Sequence, residues 1–203
     1  MCGIAGIWGR ADRGAVERMT GALAHRGPDD AGILVDEAGA IALGHRRLSI
    51  IDLSPHGHQP MPARGGRYWI VYNGEVYNYA ELRRELVAAG HEFSSETDTE
   101  VVLAAYIQWG PDSLPRLRGM FAFAIWDSGI ERGVRVAEPH LFIARDRFGI
   151  KPLLYSWRDG TLLFASELKS LLDSGLVPRT LDRQANWDYL SLGSVPQQRT
   201  ILA

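Results

Sequence analysis

Residues 120–126 read Met-Phe-Ala-Phe-Ala-Ile-Trp, an uninterrupted apolar run in the second half of the chain. A strand with one face in water alternates apolar and polar side chains, whereas a strand covered on both faces is apolar throughout. The run 120–126 therefore predicts a β-strand buried between two other layers of the molecule.

Outward from this run, short strand-like segments are interleaved with amphipathic helical segments. Apolar residues spaced by three and four, such as Val16, Met19 and Leu23, predict a helix. Thr97 and Glu100 form a capping box that opens another helix. The further strands are predicted at 4–8, 32–35, 40–43, 68–72, 141–144, 153–157 and 162–165, and the helices at 15–24, 79–89, 97–109 and 166–175. Two sets of strands with helices between and after them indicate a layered α+β domain, and the periodicity leaves its topology open.

Composition and charge narrow the class of protein. The 203 residues are enough for one full core, and the 46% hydrophobic and 23% charged contents are those of an ordinary globular domain. With 22 Lys+Arg against 24 Asp+Glu, the net charge is −2 and the basic residues are dispersed, so neither nucleic acid nor a membrane is an expected partner. The chain has no apolar run of about 20 residues and no secretory signal, so we expect a cytoplasmic protein.

The chain has a single cysteine, at position 2. A free cysteine is most often a small buried hydrophobic residue. An N-terminal position favours that interpretation less, because chain ends fray. If Met1 is removed, thiol and α-amine belong to one residue, which favours a chemical role for Cys2. The six histidines show no metal-ligand spacing, and we expect no metal site.

Eight segments together resemble the N-terminal domain of glutamine-dependent asparagine synthases. They are MCGIAGIWG at 1–9, HRGPDD at 25–30, GHRRLSIIDLSPHGHQPM at 44–61, YNGEVYNYAELRREL at 72–86, SETDTEVVLAAYIQWG at 95–110, RLRGMFAFAIWD at 116–127, LFIARDRFGIKPLLY at 141–155 and FASELKSLL at 164–172. The resemblance covers nearly the whole chain in order. It implies a class II glutamine amidotransferase with the N-terminal-nucleophile hydrolase fold, a four-layer αββα sandwich of two stacked antiparallel sheets.

The resemblance also implies a set of site residues. Cys2 is the nucleophile, and the side-chain amide of Asn73 and the backbone N–H of Gly74 form the oxyanion hole. Arg47 binds the α-carboxylate of glutamine, and Asp98, assisted by Glu75, binds its α-ammonium. Arg26 and Gly27 shape a loop near the thiol.

Each of these motifs has a simpler interpretation. Asn-Gly is a common hairpin turn, a His-Arg-Arg run is usually a solvated charged stretch, and an acid after a Thr97 cap stabilises the helix dipole. The apolar sequence 48–51 places Arg47 at the mouth of a buried strand and leaves Arg46 facing solvent. Residues 128–140 depart from the family pattern and are expected to form an extended hairpin loop.

The hypothesis is a glutaminase domain at 1–176, followed at 177–203 by a linker and the start of an absent C-terminal synthase domain. No cofactor is expected in this domain, whereas ATP and Mg are expected in the synthase domain, which would amidate aspartate. The partners are L-glutamine and that domain or a separate chain, and a homodimer is possible. The alternatives are another ammonia acceptor, such as an amino-sugar or a natural-product carboxylate, and a non-catalytic scaffold.

Overall fold

The computed structural model describes residues 1–49, 54–196 and 199–202. Its strands are β1 (Gly3–Trp8), β2 (Asp30–Asp36), β3 (Ile41–Arg47), β4 (Met61–Ala63), β5 (Tyr68–Val76), β6 (Gly119–Asp127), β7 (Ile130–Glu131), β8 (Val134–Arg135), β9 (His140–Arg145), β10 (Leu154–Arg158) and β11 (Thr161–Ala165). Its α-helices are α1 (Arg13–Ala22), α2 (Tyr79–Ala88), α3 (Asp98–Trp109), α4 (Leu168–Asp173) and α5 (Arg183–Leu192). Short 3₁₀ helices occur at Pro55–Gly57, Arg64–Gly66 and Gly110–Arg116.

The strands form two larger antiparallel sheets. The five-stranded sheet has the order β10-β11-β1-β3-β2, and the four-stranded sheet has the order β4-β5-β6-β9. Every pairing is antiparallel. The strands predicted from the sequence are all present, each within a few residues of its predicted bounds.

Strand β6 shows how the layers stack. Its side chains alternate between two cores, as the period of two in a strand requires. Phe121, Phe123 and Ile125 pack into the core shared with α2 and α3, whereas Ala122 and Ala124 lie in the core between the sheets. The strand predicted from 120–126 is therefore covered on both faces.

A third core lies on the outer face of the five-stranded sheet. Ala5 and Ile7 of β1 pack there against Val16 and Met19 of α1 and Leu171 of α4. The order of layers is thus helices, sheet, sheet and helices. The expected four-layer αββα sandwich is confirmed.

Two peripheral segments add to this frame. Residues 128–140 form a hairpin in which β7 pairs with β8, as expected for that stretch, and Arg67 ties it to the sheet through Asp127 and Glu131. The helix α5 was not predicted, and its Trp187 and Leu190 are exposed. Among the described residues, no helix combines the length and apolarity needed to cross a membrane.

Candidate active site

A cavity of about 280 Å³ opens where β3 ends and β1 begins, beside the second half of β5. Its lining includes six of the residues expected from the sequence, namely Cys2, Arg47, Asn73, Gly74, Glu75 and Asp98. They come from four separate segments of the chain, and the stacking of the two sheets brings them together.

Strand register places the thiol beside the arginine. Because Gly3 pairs with Arg46 across β1 and β3, the preceding Cys2 lies next to Arg47 and Leu48. Cys2 Sγ accepts a hydrogen bond from the Leu48 N–H at 3.5 Å and lies 3.7 Å from the Leu48 carbonyl oxygen. Burial raises the pKa of the Cys2 thiol, and the Leu48 N–H, the N-terminal ammonium and Arg47 act in the opposite direction.

Arg26 and Gly27 lie behind the thiol rather than in the lining of the cavity. Arg26 Nε donates to the backbone carbonyl of Cys2 at 2.9 Å, and its Nη1 pairs with Glu167 at 2.8 Å. Gly27 is buried against the backbone of Arg46. Their contacts hold the N-terminal segment in place, and a direct role of either residue in substrate binding stays a prediction.

Arg47 is the last residue of β3, and its side chain enters the cavity. The residue is only 7% exposed, and its Nη1 donates to the carbonyl of Ser54 at 2.8 Å. Its guanidinium lies against Gly57, where a side chain on residue 57 would clash with it. Arg46 is half-buried and donates to the carbonyl of Thr20 at 3.2 Å. Of the apolar neighbours used to place Arg47, residues 50 and 51 lie outside the described part of the chain.

Asn73 and Gly74 do not form a hairpin turn. Both lie within β5, where Asn73 pairs with Ala122 and Gly74 pairs with Phe121 of β6. Asn73 is 1% exposed, and its side-chain Nδ2 has no hydrogen-bond partner among the described residues. A buried amide donor without a partner is costly, so its presence beside a cavity indicates that a ligand supplies the acceptor.

The alternation of β5 decides where the Gly74 N–H points. Tyr77 donates to the carbonyl of Arg118, which places the odd-numbered backbone groups of this segment toward β6. The even-numbered groups point the other way, and there the Val76 N–H donates to Asp98 and the Tyr72 N–H donates to Gln59. The Gly74 N–H therefore also points away from β6, on the side of the strand beyond the end of β4.

Asp98 opens α3 and is held by β5. Its Oδ2 accepts from the hydroxyl of Tyr72 at 2.6 Å and from the Val76 N–H at 3.0 Å. Burial raises the pKa of Asp98, whereas these two hydrogen bonds favour its ionised form. Burial also raises the pKa of Tyr72, followed in importance by the charge of Asp98, so the hydroxyl stays a donor.

The start of α3 differs in one detail from the sequence prediction. Thr97 caps the helix as expected, because its Oγ1 accepts from the Glu100 N–H at 3.2 Å. The Glu100 carboxylate accepts from the backbone N–H groups of Ser94 and Ser95 rather than from that of Thr97. The reciprocal half of the predicted capping box is therefore replaced by contacts that fold the segment before the helix.

Among the lining residues that sequence reasoning missed are Tyr72, Gln59 and Lys151. Tyr72 looks like an ordinary apolar strand residue, although a buried tyrosine hydroxyl normally requires a partner. Gln59 is 4% exposed and bridges the Tyr72 N–H, at 2.7 Å, to Thr99 Oγ1, at 3.3 Å. Lys151 is 7% exposed, with its backbone N–H bound to Asp146. No local pattern in the sequence distinguishes Gln59 or Lys151 from surface polar residues.

Comparisons with known proteins show which proteins this chain resembles. An asparagine synthetase [glutamine-hydrolyzing] 1 of Bacillus subtilis is 40% identical over 208 residues, covering 99% of this chain and 31% of the relative. A putative asparagine synthetase [glutamine-hydrolyzing] of Mycobacterium tuberculosis is 43% identical over 212 residues, covering 98% of this chain and 31% of the relative. The chain thus spans about a third of the length of these curated relatives.

A solved structure supports the fold. Glutamine phosphoribosylpyrophosphate amidotransferase from B. subtilis, complexed with ADP and GMP, superposes with a TM-score of 0.69 at 23% identity, over 86% of this chain and 44% of the other. The sequence profile described as "Glutamine amidotransferase domain" matches residues 1–203. This chain therefore belongs to the glutamine amidotransferase domain family.

Proposed function

We propose that the domain hydrolyses glutamine to glutamate and ammonia through a thioester on Cys2. The observation that carries the proposal is the buried, unpartnered Asn73 amide in the same cavity as the Cys2 thiol. Hydrolysis of an amide needs a nucleophile and a donor aimed at the developing oxyanion, and these two groups supply both. A non-catalytic scaffold would have no use for an unsatisfied buried donor beside a thiol.

Charge in the cavity fits the amino-acid end of glutamine. Arg47 offers a planar cation for the α-carboxylate, and its contact with Ser54 fixes the direction of the guanidinium. Asp98 offers a carboxylate for the α-ammonium, and Glu75 adds a second carboxylate to the lining of the same cavity. These contacts would leave the side-chain amide of the substrate between Cys2 and the Asn73–Gly74 segment.

The reaction needs a base that the free N-terminus of Cys2 would supply once Met1 is removed. An α-amine has a pKa of about 7.7–8.0, so at neutral pH it accepts the thiol proton while Sγ attacks the substrate carbonyl carbon. Asn73 Nδ2–H and the Gly74 N–H stabilise the tetrahedral oxyanion. The ammonium then returns the proton to the departing ammonia, and water hydrolyses the thioester to glutamate.

The second part of the proposal concerns the molecule that accepts the ammonia. Because the relatives reported above are asparagine synthetases, we assign ATP-dependent amidation of aspartate to the remaining two thirds of such a protein, where ATP and Mg would bind. This assignment favours aspartate over an amino-sugar or a natural-product carboxylate as acceptor. The division at residue 176, the cytoplasmic location and a homodimer stay predictions.

The decisive experiment examines the N-terminus. Intact-mass analysis and glutamate release are measured on the same preparations of the untagged protein, an N-terminally tagged protein and the variants Cys2→Ala and Cys2→Ser. With Met1 or a tag attached, the Cys2 nitrogen is an amide and accepts no proton at neutral pH. The tagged protein should therefore be as inactive as Cys2→Ala, and Cys2→Ser should bind glutamine but turn over very slowly. Full activity from protein shown to retain Met1 would refute the mechanism.

A further inference from the structure

His45 is a buried histidine directly behind the cavity. It lies on β3 two residues before Arg47, is 0% exposed, and does not reach the cavity itself. Alternation along β3 turns its side chain to the same side as Ile41 and Leu43, toward the four-stranded sheet. There its Nε2 lies 3.0 Å from the carbonyl oxygen of Tyr72.

The contact defines the protonation state of the imidazole. A carbonyl oxygen only accepts hydrogen bonds, so Nε2 carries the hydrogen and Nδ1 is the bare acceptor. Nδ1 has no partner among the residues that the structure describes. Burial lowers the pKa of His45 to about 4, so the ring is neutral at physiological pH.

Tyr72 needs this donor because its side of β5 lacks a neighbouring strand. The last pairing of β4 with β5 joins Met61 to Ile70, so the backbone groups of Tyr72 lie beyond the end of β4. Side chains replace the missing strand: Gln59 accepts from the Tyr72 N–H, and His45 donates to the Tyr72 carbonyl.

The peptide that His45 holds leads directly into the oxyanion donors. The Tyr72 carbonyl and the Asn73 N–H belong to one planar peptide unit. Pairing with Ala122 of β6 holds the Asn73 backbone on one side of this peptide, and His45 holds the Tyr72 carbonyl on the other. Together these contacts constrain the direction in which the Asn73 side chain and the following Gly74 N–H leave the backbone. A displacement of about 1 Å in catalytic geometry costs roughly 10²-fold in rate.

We propose that His45 is a positioning residue for the oxyanion hole: its Nε2–H holds the Tyr72–Asn73 peptide so that the Asn73 amide and the Gly74 N–H converge on one point. This role rests on the proposed glutaminase function. His45 itself touches no substrate and transfers no proton.

The test compares His45→Gln with His45→Asn in the untagged protein. The side-chain amide of Gln reaches the position of Nε2, whereas that of Asn reaches only Nδ1, so the pair differs in reach and not in polarity. His45→Asn should lower kcat for glutamine by about 10- to 100-fold with KM within about twofold of wild type. His45→Gln should recover most of that loss.

A second measurement separates positioning from general destabilisation. A glutamine analogue whose side-chain amide is replaced by an aldehyde adds the Cys2 thiol and places its oxygen in the oxyanion hole, whereas glutamate binds without a tetrahedral centre. His45→Asn should weaken inhibition by the aldehyde by about the same factor by which it lowers kcat. It should leave inhibition by glutamate unchanged. Ser170→Ala is the matched control, since Ser170 is equally buried and donates to the Met19 carbonyl at 2.9 Å in the helical layer. It should lower stability and leave kcat and both affinities unchanged.

Three results would overturn the role. They are wild-type kcat in His45→Asn, parallel loss of aldehyde and glutamate affinity, or a His45→Gln variant no better than His45→Asn. Wild-type protein that releases no glutamate would instead refute the proposed function, and this role with it.

Discussion

The substitution Tyr72→Phe tests whether the Tyr72 hydroxyl keeps the Asp98 carboxylate ionised for substrate binding. The substitution removes the hydroxyl that donates to Asp98 Oδ2 at 2.6 Å and leaves the ring in place over Gly74. A hydrogen bond to a charged group contributes about 1.5–3 kcal/mol, which corresponds to about a 10- to 150-fold change in an equilibrium constant. The bond is present without substrate, so its loss reaches glutamine binding through the ionisation and placement of Asp98. KM for glutamine should therefore rise by at most that factor, with kcat little changed.

The pKa of Asp98 determines the direction in which KM changes with pH. Burial already raises the pKa of Asp98, and loss of the Tyr72 hydrogen bond should raise it further. A protonated Asp98 does not hold an ammonium, so KM should increase as the pH falls, starting at a higher pH in Tyr72→Phe than in wild type.

The assay is glutamate release against glutamine concentration at several pH values. Tyr106→Phe serves as the control, because Tyr106 is also buried and its hydroxyl contacts His140 Nε2 at 3.0 Å, outside the cavity lining. A folded Tyr72→Phe protein with wild-type KM, or one that loses kcat alone, would show that Asp98 does not bind the substrate in this way.

Three further outcomes follow from the same geometry. Asn73→Ala should lower kcat by about 10²–10³ with little change in glutamine binding, and a variant that unfolds instead would favour a structural role. Arg47→Ala should raise KM, at a cost of about 2–4 kcal/mol in kcat/KM, and Gly57→Ala should also raise KM because its methyl group displaces the guanidinium; wild-type KM in both would contradict the assignment. His45 has a native pKa of about 4 against 6.5 for an unperturbed histidine, so between these values only the unfolded chain takes up the proton. The contribution of His45 to the free energy of unfolding should therefore be undiminished above about pH 6.5 and fall by about 3 kcal/mol toward pH 4. In urea titrations, wild type should lose about that much more stability than His45→Gln over this range.

The sequence predicted the strands and helices because their signals are local, whereas the order of the layers came from the family resemblance. The apolar run 120–126, the spacing of Val16 and Met19, and the Thr97 cap each report on a few consecutive residues, and the structure bears all three out. The helix α5 escaped prediction because its exposed Trp187 and Leu190 do not follow an amphipathic pattern against this domain.

The candidate site was predictable only where the family motifs carry it. Resemblance brought Cys2, Arg47, Asn73 and Asp98 together, and the structure places all four around one cavity. The residues that hold these side chains in place could not be predicted in this way. Tyr72 contacts Asp98 and His45 across 26 and 27 residues of sequence, respectively. Such contacts depend on strand register and on the early end of β4, which no local pattern encodes.

The early end of β4 has one more consequence, for association between molecules. A strand edge with unpaired backbone groups is a template on which another chain can add a strand. Along β5, the groups on either side of Gly74 are already bound by Gln59, His45 and Asp98. An intruding strand would have to displace these side chains to gain only the N–H and C=O of Gly74. The domain thereby exposes a backbone donor to a small molecule while denying the same edge to a second polypeptide.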